Sequence, residues 1–217
     1  MIPFRTPDEI AAAMPAAIRH LSRRGVIAYP TETIYGFGST TDAVAVDRVA
    51  QLKGRAPGKP FLLLVTGREM LGGVGLRLPD TAERLAAAFW PGPLTLVLPG
   101  GEHILPDVLR GPEGGVAVRW TSHPGAAKVV AMLGSPITST SANRPRTPPA
   151  VDGAEVEKLF GNEVKHGRLL VLDAGLLVPS PPSTVVDCTG SAPRLVREGA
   201  ISAAALRSVV PSVVVVE

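Results

Sequence analysis

Thr31, Thr33 and Tyr35 carry hydroxyls directly behind an apolar run, and Gly36 and Gly38 follow them. Three cations come next, Lys53, Arg55 and Lys59, in the short stretch Lys53-Gly54-Arg55-Ala56-Pro57-Gly58-Lys59-Pro60. Hydroxyls just past a strand end lie where α/β sheets bind ligands. Glycines at such a place let backbone N–H groups approach an anion. Lys53 and Arg55 fall at the end of a helical pattern, where cations commonly complement the helix dipole. Lys59, directly behind them in a turn stiffened by proline, favours a phosphate clamp over that plainer role. Such a set suits phosphoryl or nucleotidyl transfer, which runs on positioning and charge more than on a protein nucleophile.

No common nucleotide motif accounts for the segment. Gly54 to Pro60 is one residue short of a P-loop, has Pro60 where a magnesium-binding Ser or Thr belongs, and precedes a strand instead of following one. Gly36-Phe37-Gly38 lacks the third glycine of the dinucleotide fingerprint. Two further polar clusters are ambiguous when taken singly. Ser139-Thr140-Ser141-Ala142-Asn143 reads equally as a turn with side-chain-to-backbone bonds, and Ser183-Thr184 as a plain strand start. Arg119 is harder to dismiss, because a guanidinium ending an apolar strand needs a partner, from the protein or from a ligand.

Other chemistries find little support. His20, His103, His123 and His166 lack paired zinc-ligand spacing, and there is no Gly-x-Ser-x-Gly elbow. His123, before Pro124, reads as a cap. Cys188 is the single cysteine, so no intrachain disulfide forms, and its place at an apolar strand end suits a buried structural thiol. A net charge of +3 permits contact with nucleic acid without arguing for it, because the cations are spread along the chain.

The elements that must position these residues follow from periodicity and punctuation. Thr6-Pro7-Asp8-Glu9 is a capping box opening a helix expected to reach residue 24, with a kink at Pro15 and a stop at Gly25. Buried strands are expected over 26–29, 61–65, 94–98, 116–120, 169–172 and 184–187, with extended segments at 136–140 and 195–197. Helices are expected from Asp42, over 80–89, 124–133 and 154–160, and after Ser202. This alternation implies an α/β domain with a largely buried sheet. The run Pro145 to Pro149 reads as a loop inside that domain. A catalytic domain over 1–206 with a Val-rich tail over 207–217 is the expected division, the tail either adding an edge strand or hanging free. No signal peptide and no bilayer-length apolar run is evident, so a cytoplasmic location with no membrane contact is expected.

Taken together and in order, Tyr29–Gly38, Lys53-Gly-Arg55 with Lys59-Pro60, Pro91-Gly-Pro-Leu-Thr95, Val116-Ala-Val-Arg119, Ser141-Ala-Asn143, Ser183-Thr-Val-Val-Asp187 and Leu195-Val-Arg-Glu-Gly199 resemble the YrdC-type threonylcarbamoyl-AMP synthases. The resemblance implies a single YrdC-like α/β domain with a twisted, mostly buried mixed sheet, flanking helices and a basic concave surface. It implies a nucleotidyltransferase that makes threonylcarbamoyl-AMP and pyrophosphate from L-threonine, bicarbonate or CO2, and ATP. The product would feed threonylcarbamoyladenosine formation in tRNA through separate tRNA-modifying proteins. Carried over by position, Lys53, Arg55, Ser141 and Asn143 form the catalytic set. Thr31, Arg119, Ser141 and Ser183 meet threonine, Arg119 through its carboxylate, where a bidentate fork suits. Arg55, Lys59, Asn143 and Arg197 hold ATP, with Mg2+ carried on the phosphates. The chain departs from the family pattern at Arg144-Pro145-Arg146-Thr147-Pro148-Pro149, where a Ser-Gly pair is usual, at Leu64, and at Thr121, which replaces a common proline. The arginines of that loop are candidates for nucleotide contact. Two other readings of the same fold are an RNA-binding module, with weak or double-stranded RNA contact, and a paralogue with an altered substrate. Only 5 Phe, 2 Trp and 2 Tyr are present, which makes stacking platforms for RNA scarce.

Overall fold

The computed structural model describes residues 1–32, 34–54, 60–178 and 180–215. In chain order the elements are β1 (Ile2–Pro3), α1 (Pro7–Ser22), β2 (Val26–Pro30), β3 (Tyr35–Gly38), α2 (Ala43–Lys53) and β4 (Leu62–Val65). Then come α3 (Arg68–Gly73), α4 (Asp80–Phe89), β5 (Leu94–Leu98), β6 (Val116–Trp120), α5 (Pro124–Leu133) and β7 (Ile137–Ser141). The chain ends with α6 (Gly153–Lys165), β8 (Leu169–Asp173), β9 (Thr184–Asp187), β10 (Arg194–Arg197), α7 (Ala203–Val209) and β11 (Val214–Val215). The strands form one 11-stranded mixed sheet in the order β1-β8-β2-β3-β7-β4-β6-β5-β9-β10-β11.

Every residue of β2 is buried, because the sheet is covered on both faces. Ile27 and Tyr29 point to the face under α1 and α5, where they meet Met14, Leu21, Val129 and Val130. Val26 and Ala28 point the other way, into a core with Phe37, Val49, Val156 and Phe160. The α1 helix presents Ile10, Ala13, Met14, Ala17 and Leu21 to the sheet, one stripe at helical spacing. Its capping box forms as the sequence requires, with Thr6 Oγ1 accepting from the Glu9 N–H and Glu9 Oε2 accepting from the Thr6 N–H. The helix runs through Pro15, whose side chain is exposed, and ends at Ser22, short of the expected residue 24.

Three elements differ from expectation. Tyr35–Gly38, read as a glycine turn open to an anion, is strand β3, paired antiparallel to both β2 and β7. Gly38 serves close strand approach. A Cβ on Gly38 would stand 2.7 Å from the Thr138 carbonyl oxygen and 2.8 Å from the Tyr29 ring. The α6 helix is longer than 154–160, extending beyond Phe160, where φ −128° and ψ 26° interrupt the helical path. The α3 helix is not anticipated at all, because Gly72 and Gly73 depress its helix propensity.

The chain end adopts the edge-strand alternative. Val214–Val215 pairs parallel with β10, and Val210 and Val213 are buried. Cys188 is buried, as its sequence context requires. No helix among the described residues is long and apolar enough to cross a membrane.

Candidate active site

One face of the sheet carries a cavity of about 320 Å³. Its floor uses alternate residues of successive strands: Leu62 and Leu64 of β4, Ala117 and Arg119 of β6, and Ser139 and Ser141 of β7. Thr95 of β5 and Val185 of β9 extend the same floor, and Thr31, Glu32, Ile34 and Gly36 wall one side. Ser183 and Arg197 wall another. Of the residues singled out from sequence, Thr31, Arg119, Ser141, Ser183 and Arg197 therefore converge on one cavity. Arg55 and Lys59 lie outside the described residues.

Lys53 and Asn143 join this cavity through Ser141. The α2 helix ends at Gly54 in the left-handed conformation (φ 58°), which turns the chain sharply just after Lys53. Lys53 Nζ donates to the Ser141 carbonyl oxygen at 2.7 Å, to Ser141 Oγ at 2.8 Å and to Asn143 Oδ1. Ser141 Oγ in turn donates to Asn143 Oδ1 at 2.8 Å, and Asn143 Nδ2 donates to the Thr147 carbonyl oxygen at 2.6 Å. The lysine, serine and asparagine are thus one bonded unit at the cavity's rim. Its cation is held by two oxygens of Ser141, the last residue of β7, and one of Asn143 just beyond it.

Arg119, 6% exposed, finds the partner its burial demands. Nε donates to the Gly92 carbonyl oxygen at 3.0 Å, and Nη2 lies 2.7 Å from Glu32 Oε2. That ion pair is close but off-line, since neither Glu32 Oε2 nor Arg119 Nη2 makes a hydrogen bond. Nε is thus hydrogen-bonded within the protein, Nη2 stands at ion-pair distance from Glu32 without an aligned hydrogen bond, and Nη1 makes neither contact. Burial alone would raise the Glu32 carboxyl. The Arg119 charge and the donors Thr121 and Ser122 outweigh that and hold it below its ordinary value.

Around Ser183 the bonding is dense. Thr95 Oγ1 donates to Ser183 Oγ at 3.0 Å, and Arg197 Nη2 donates to the Ser183 carbonyl oxygen at 2.8 Å and to Ser183 Oγ at 3.2 Å. Arg197 is otherwise exposed at the rim. Thr31 Oγ1 donates to the Ile34 carbonyl oxygen at 2.7 Å, which fixes the turn between β2 and β3. Beneath the floor, the buried Tyr29 hydroxyl donates to Ser139 Oγ at 2.8 Å, and burial pushes that phenol well up.

Within the departing loop, Arg144 is turned away from the rim. Its Nη2 donates to the Leu159 carbonyl oxygen at 2.9 Å, and its guanidinium stands 4.8 Å from the Phe160 ring centre. Arg144 thus fastens the loop to α6. The sequence reading missed Glu32 as a site residue. Its signal was available, for it is the acidic side chain in the otherwise uncharged run Tyr29–Gly38, and Arg119 needed a counter-charge.

A family model described as "Telomere recombination", covering Sua5, YciO and YrdC, matches residues 19–199. The threonylcarbamoyl-AMP synthase of Thiobacillus denitrificans is 38% identical over 184 residues, which cover 84% of this chain and 94% of that one. The threonylcarbamoyl-AMP synthase of Pyrococcus abyssi is 36% identical over 177 residues, 81% of this chain, and the chain spans 51% of that relative's length. The crystal structure of P. abyssi Sua5 complexed with L-threonine superposes with a TM-score of 0.88 at 32% identity, covering 99% of this chain and 62% of that one.

Proposed function

The chain belongs to the Sua5/YciO/YrdC family, and from that premise we propose that it is a threonylcarbamoyl-AMP synthase, a nucleotidyltransferase acting on L-threonine, bicarbonate or CO2, and ATP. The observation that carries this reading is the double membership of Ser141. It lines a cavity of amino-acid size and is bonded to Lys53 and Asn143 at the rim. A site that joins an amino-acid derivative to a nucleotide needs such a seam between its two compartments.

In the proposed reaction the threonine amine nitrogen bonds to the carbon of CO2 and gives up a proton to solvent, leaving a carbamate. A carbamate oxygen attacks the α-phosphorus of ATP, the bond from that phosphorus to the oxygen bridging to the β-phosphate breaks, and pyrophosphate leaves. Arg119 meets the threonine carboxylate through Nη1, while Thr31 and Ser183 flank the amino acid. Lys53, Arg55 and Lys59 are assigned to the phosphates, and Asn143 and Arg197 to holding the nucleotide. Fixed donors stabilise the charge that builds at the phosphorus without reorganising during reaction. Magnesium would be carried on the triphosphate and would screen its charge. Among the described residues no cluster of His, Cys, Asp and Glu is built to hold an ion, and Glu32 has both carboxylate oxygens engaged.

The product, a labile mixed anhydride, would pass to separate proteins that modify tRNA, in the cytoplasm. An RNA-binding module on this fold gains no support from the aromatic residues. Tyr29, Tyr35, Phe4, Phe37, Phe61 and Phe160 are fully buried, and the partly exposed Phe89, Trp90 and Trp120 pack against the core, so stacking faces are few. The test is pyrophosphate release from ATP with threonine and bicarbonate each omitted in turn. Release that requires both supports the synthase. A folded protein that releases none overturns it, and release with another amino acid in place of threonine marks an altered substrate.

A further inference from the structure

We infer that Glu32 is the positioning residue that aims Arg119 at the carboxylate of the amino-acid substrate, an inference that rests on the reading just given. Glu32 Oε1 accepts from four donors on one short segment: Thr121 Oγ1 at 2.8 Å, the Ser122 N–H at 2.8 Å, Ser122 Oγ at 3.0 Å and the His123 N–H at 3.2 Å. That segment runs into the first turn of α5, where His123 Nδ1 accepts from the Ala126 N–H. One oxygen of the carboxylate is therefore fixed in a preformed nest, and the other is left against Arg119 Nη2 at 2.7 Å.

The guanidinium is thereby gripped from two sides, by Glu32 at Nη2 and by the Gly92 carbonyl oxygen at Nε. With those edges taken, Nη1 is the edge offered to the cavity. The pair also balances charge. A cavity holding Arg119 alone would draw any anion, whereas a neutral pair with one directed N–H edge selects a carboxylate that arrives in the correct place. The Thr121 hydroxyl takes part in this hold, so a residue that departs from the family pattern feeds directly into the device.

The experiment compares binding of L-threonine and L-threonine amide to wild type and to Glu32→Gln, by calorimetry, with ATP binding and thermal unfolding as controls. Gln keeps an oxygen for the nest but sets an amide N–H against Arg119 Nη2, so the guanidinium turns. The expected result is a loss of about tenfold or more in threonine affinity, no change for the amide, and unchanged ATP binding. Thr121→Val is expected to shift threonine affinity in the same direction by less. An equal loss for threonine and its amide, or no loss for either, overturns the inference. If wild type itself does not prefer threonine to the amide, the assignment of Arg119 to a substrate carboxylate has failed. Glu32 is then judged from the guanidinium ¹⁵N signals of Arg119 in the ligand-free protein, which must change in Glu32→Gln, and unchanged signals overturn its grip on Arg119.

Discussion

Lys53→Met separates the two roles of the rim lysine, because it keeps the length of the side chain and removes the ammonium. In the folded protein the three oxygens of Ser141 and Asn143 would lose a charged donor. A hydrogen bond to a charged group contributes about 1.5–3 kcal/mol when it is fully removed from water. The site is only partly buried, and Ser141 Oγ keeps its own bond to Asn143, so water can replace much of what is lost. The net cost to stability is expected at about 1–2 kcal/mol, or roughly 2–8 °C for a chain of this size. The cost to turnover is expected to be larger, about 10²–10³-fold, as for loss of one fixed donor from a charge-stabilising site. Lys53→Arg is expected to be defective as well, because a planar fork cannot direct its protons at three clustered oxygens. Urea unfolding gives the first quantity and pyrophosphate release the second. If folded Lys53→Met turns over within about threefold of wild type, the charge of Lys53 has no part in the chemistry and the lysine is only a strut between α2 and the loop after β7.

Gly38→Ala is expected to lower stability by about 1–3 kcal/mol in urea, since its methyl would press on the Thr138 carbonyl and the Tyr29 ring. Gly36→Ala, whose methyl would meet only ordinary contacts at 3.4 Å and beyond, should leave stability intact and raise the KM for the amino acid by intruding on the cavity. Acid should destabilise the fold in two stages. Burial holds His20 and His123 below their ordinary value of 6.5, so the unfolded chain binds protons that the folded one refuses, and stability falls as pH drops through 6.5. Glu32 stays ionised below its ordinary 4.5 in the folded state, so a second loss begins as pH drops below that value, and Glu32→Gln should remove part of it in a pH series of unfolding curves. Burial pushes the Cys188 thiol up to about 12, so a disulfide reagent at neutral pH should titrate it only after unfolding, and rapid labelling of the native protein would contradict that burial.

The sequence was most legible where one residue type carries one meaning. The apolar runs at β2, β5 and β6 were plain, because strands covered on both faces read as near-continuous apolar runs, broken in β5 by Thr95 and in β6 by Arg119. The capping box of α1 was equally plain. Strand β3 was not, since Gly36 and Gly38 carry the local signature of a turn, and the nearness of Tyr29 and Thr138 explains Gly38 alone. The convergence of Thr31, Arg119, Ser141, Ser183 and Arg197 was implied by the resemblance to the YrdC-type synthases, which suggests membership of a site without fixing who touches whom. Pairings across the sheet were beyond reach for that reason. Lys53 was aimed at phosphate from its company of cations, and its bonds to Ser141 and Asn143 depend on how α2 meets the end of β7.

The strand order has a consequence for how the protein is made. The β8 strand, from late in the chain, sits between β1 and β2, and β9 pairs with β5. A ribosome-bound chain that has emerged only through β7 therefore holds β2 with one neighbour missing and β5 with an open side. Ser183 and Arg197, which complete the cavity, have not yet appeared. Long-range pairing of this kind closes slowly and leaves strand edges open to wrong partners until it does. Substrate binding in this protein thus reports on the last events of its biogenesis. A nascent chain stalled after β7 should hold ample secondary structure and an amino-acid site that still lacks Ser183.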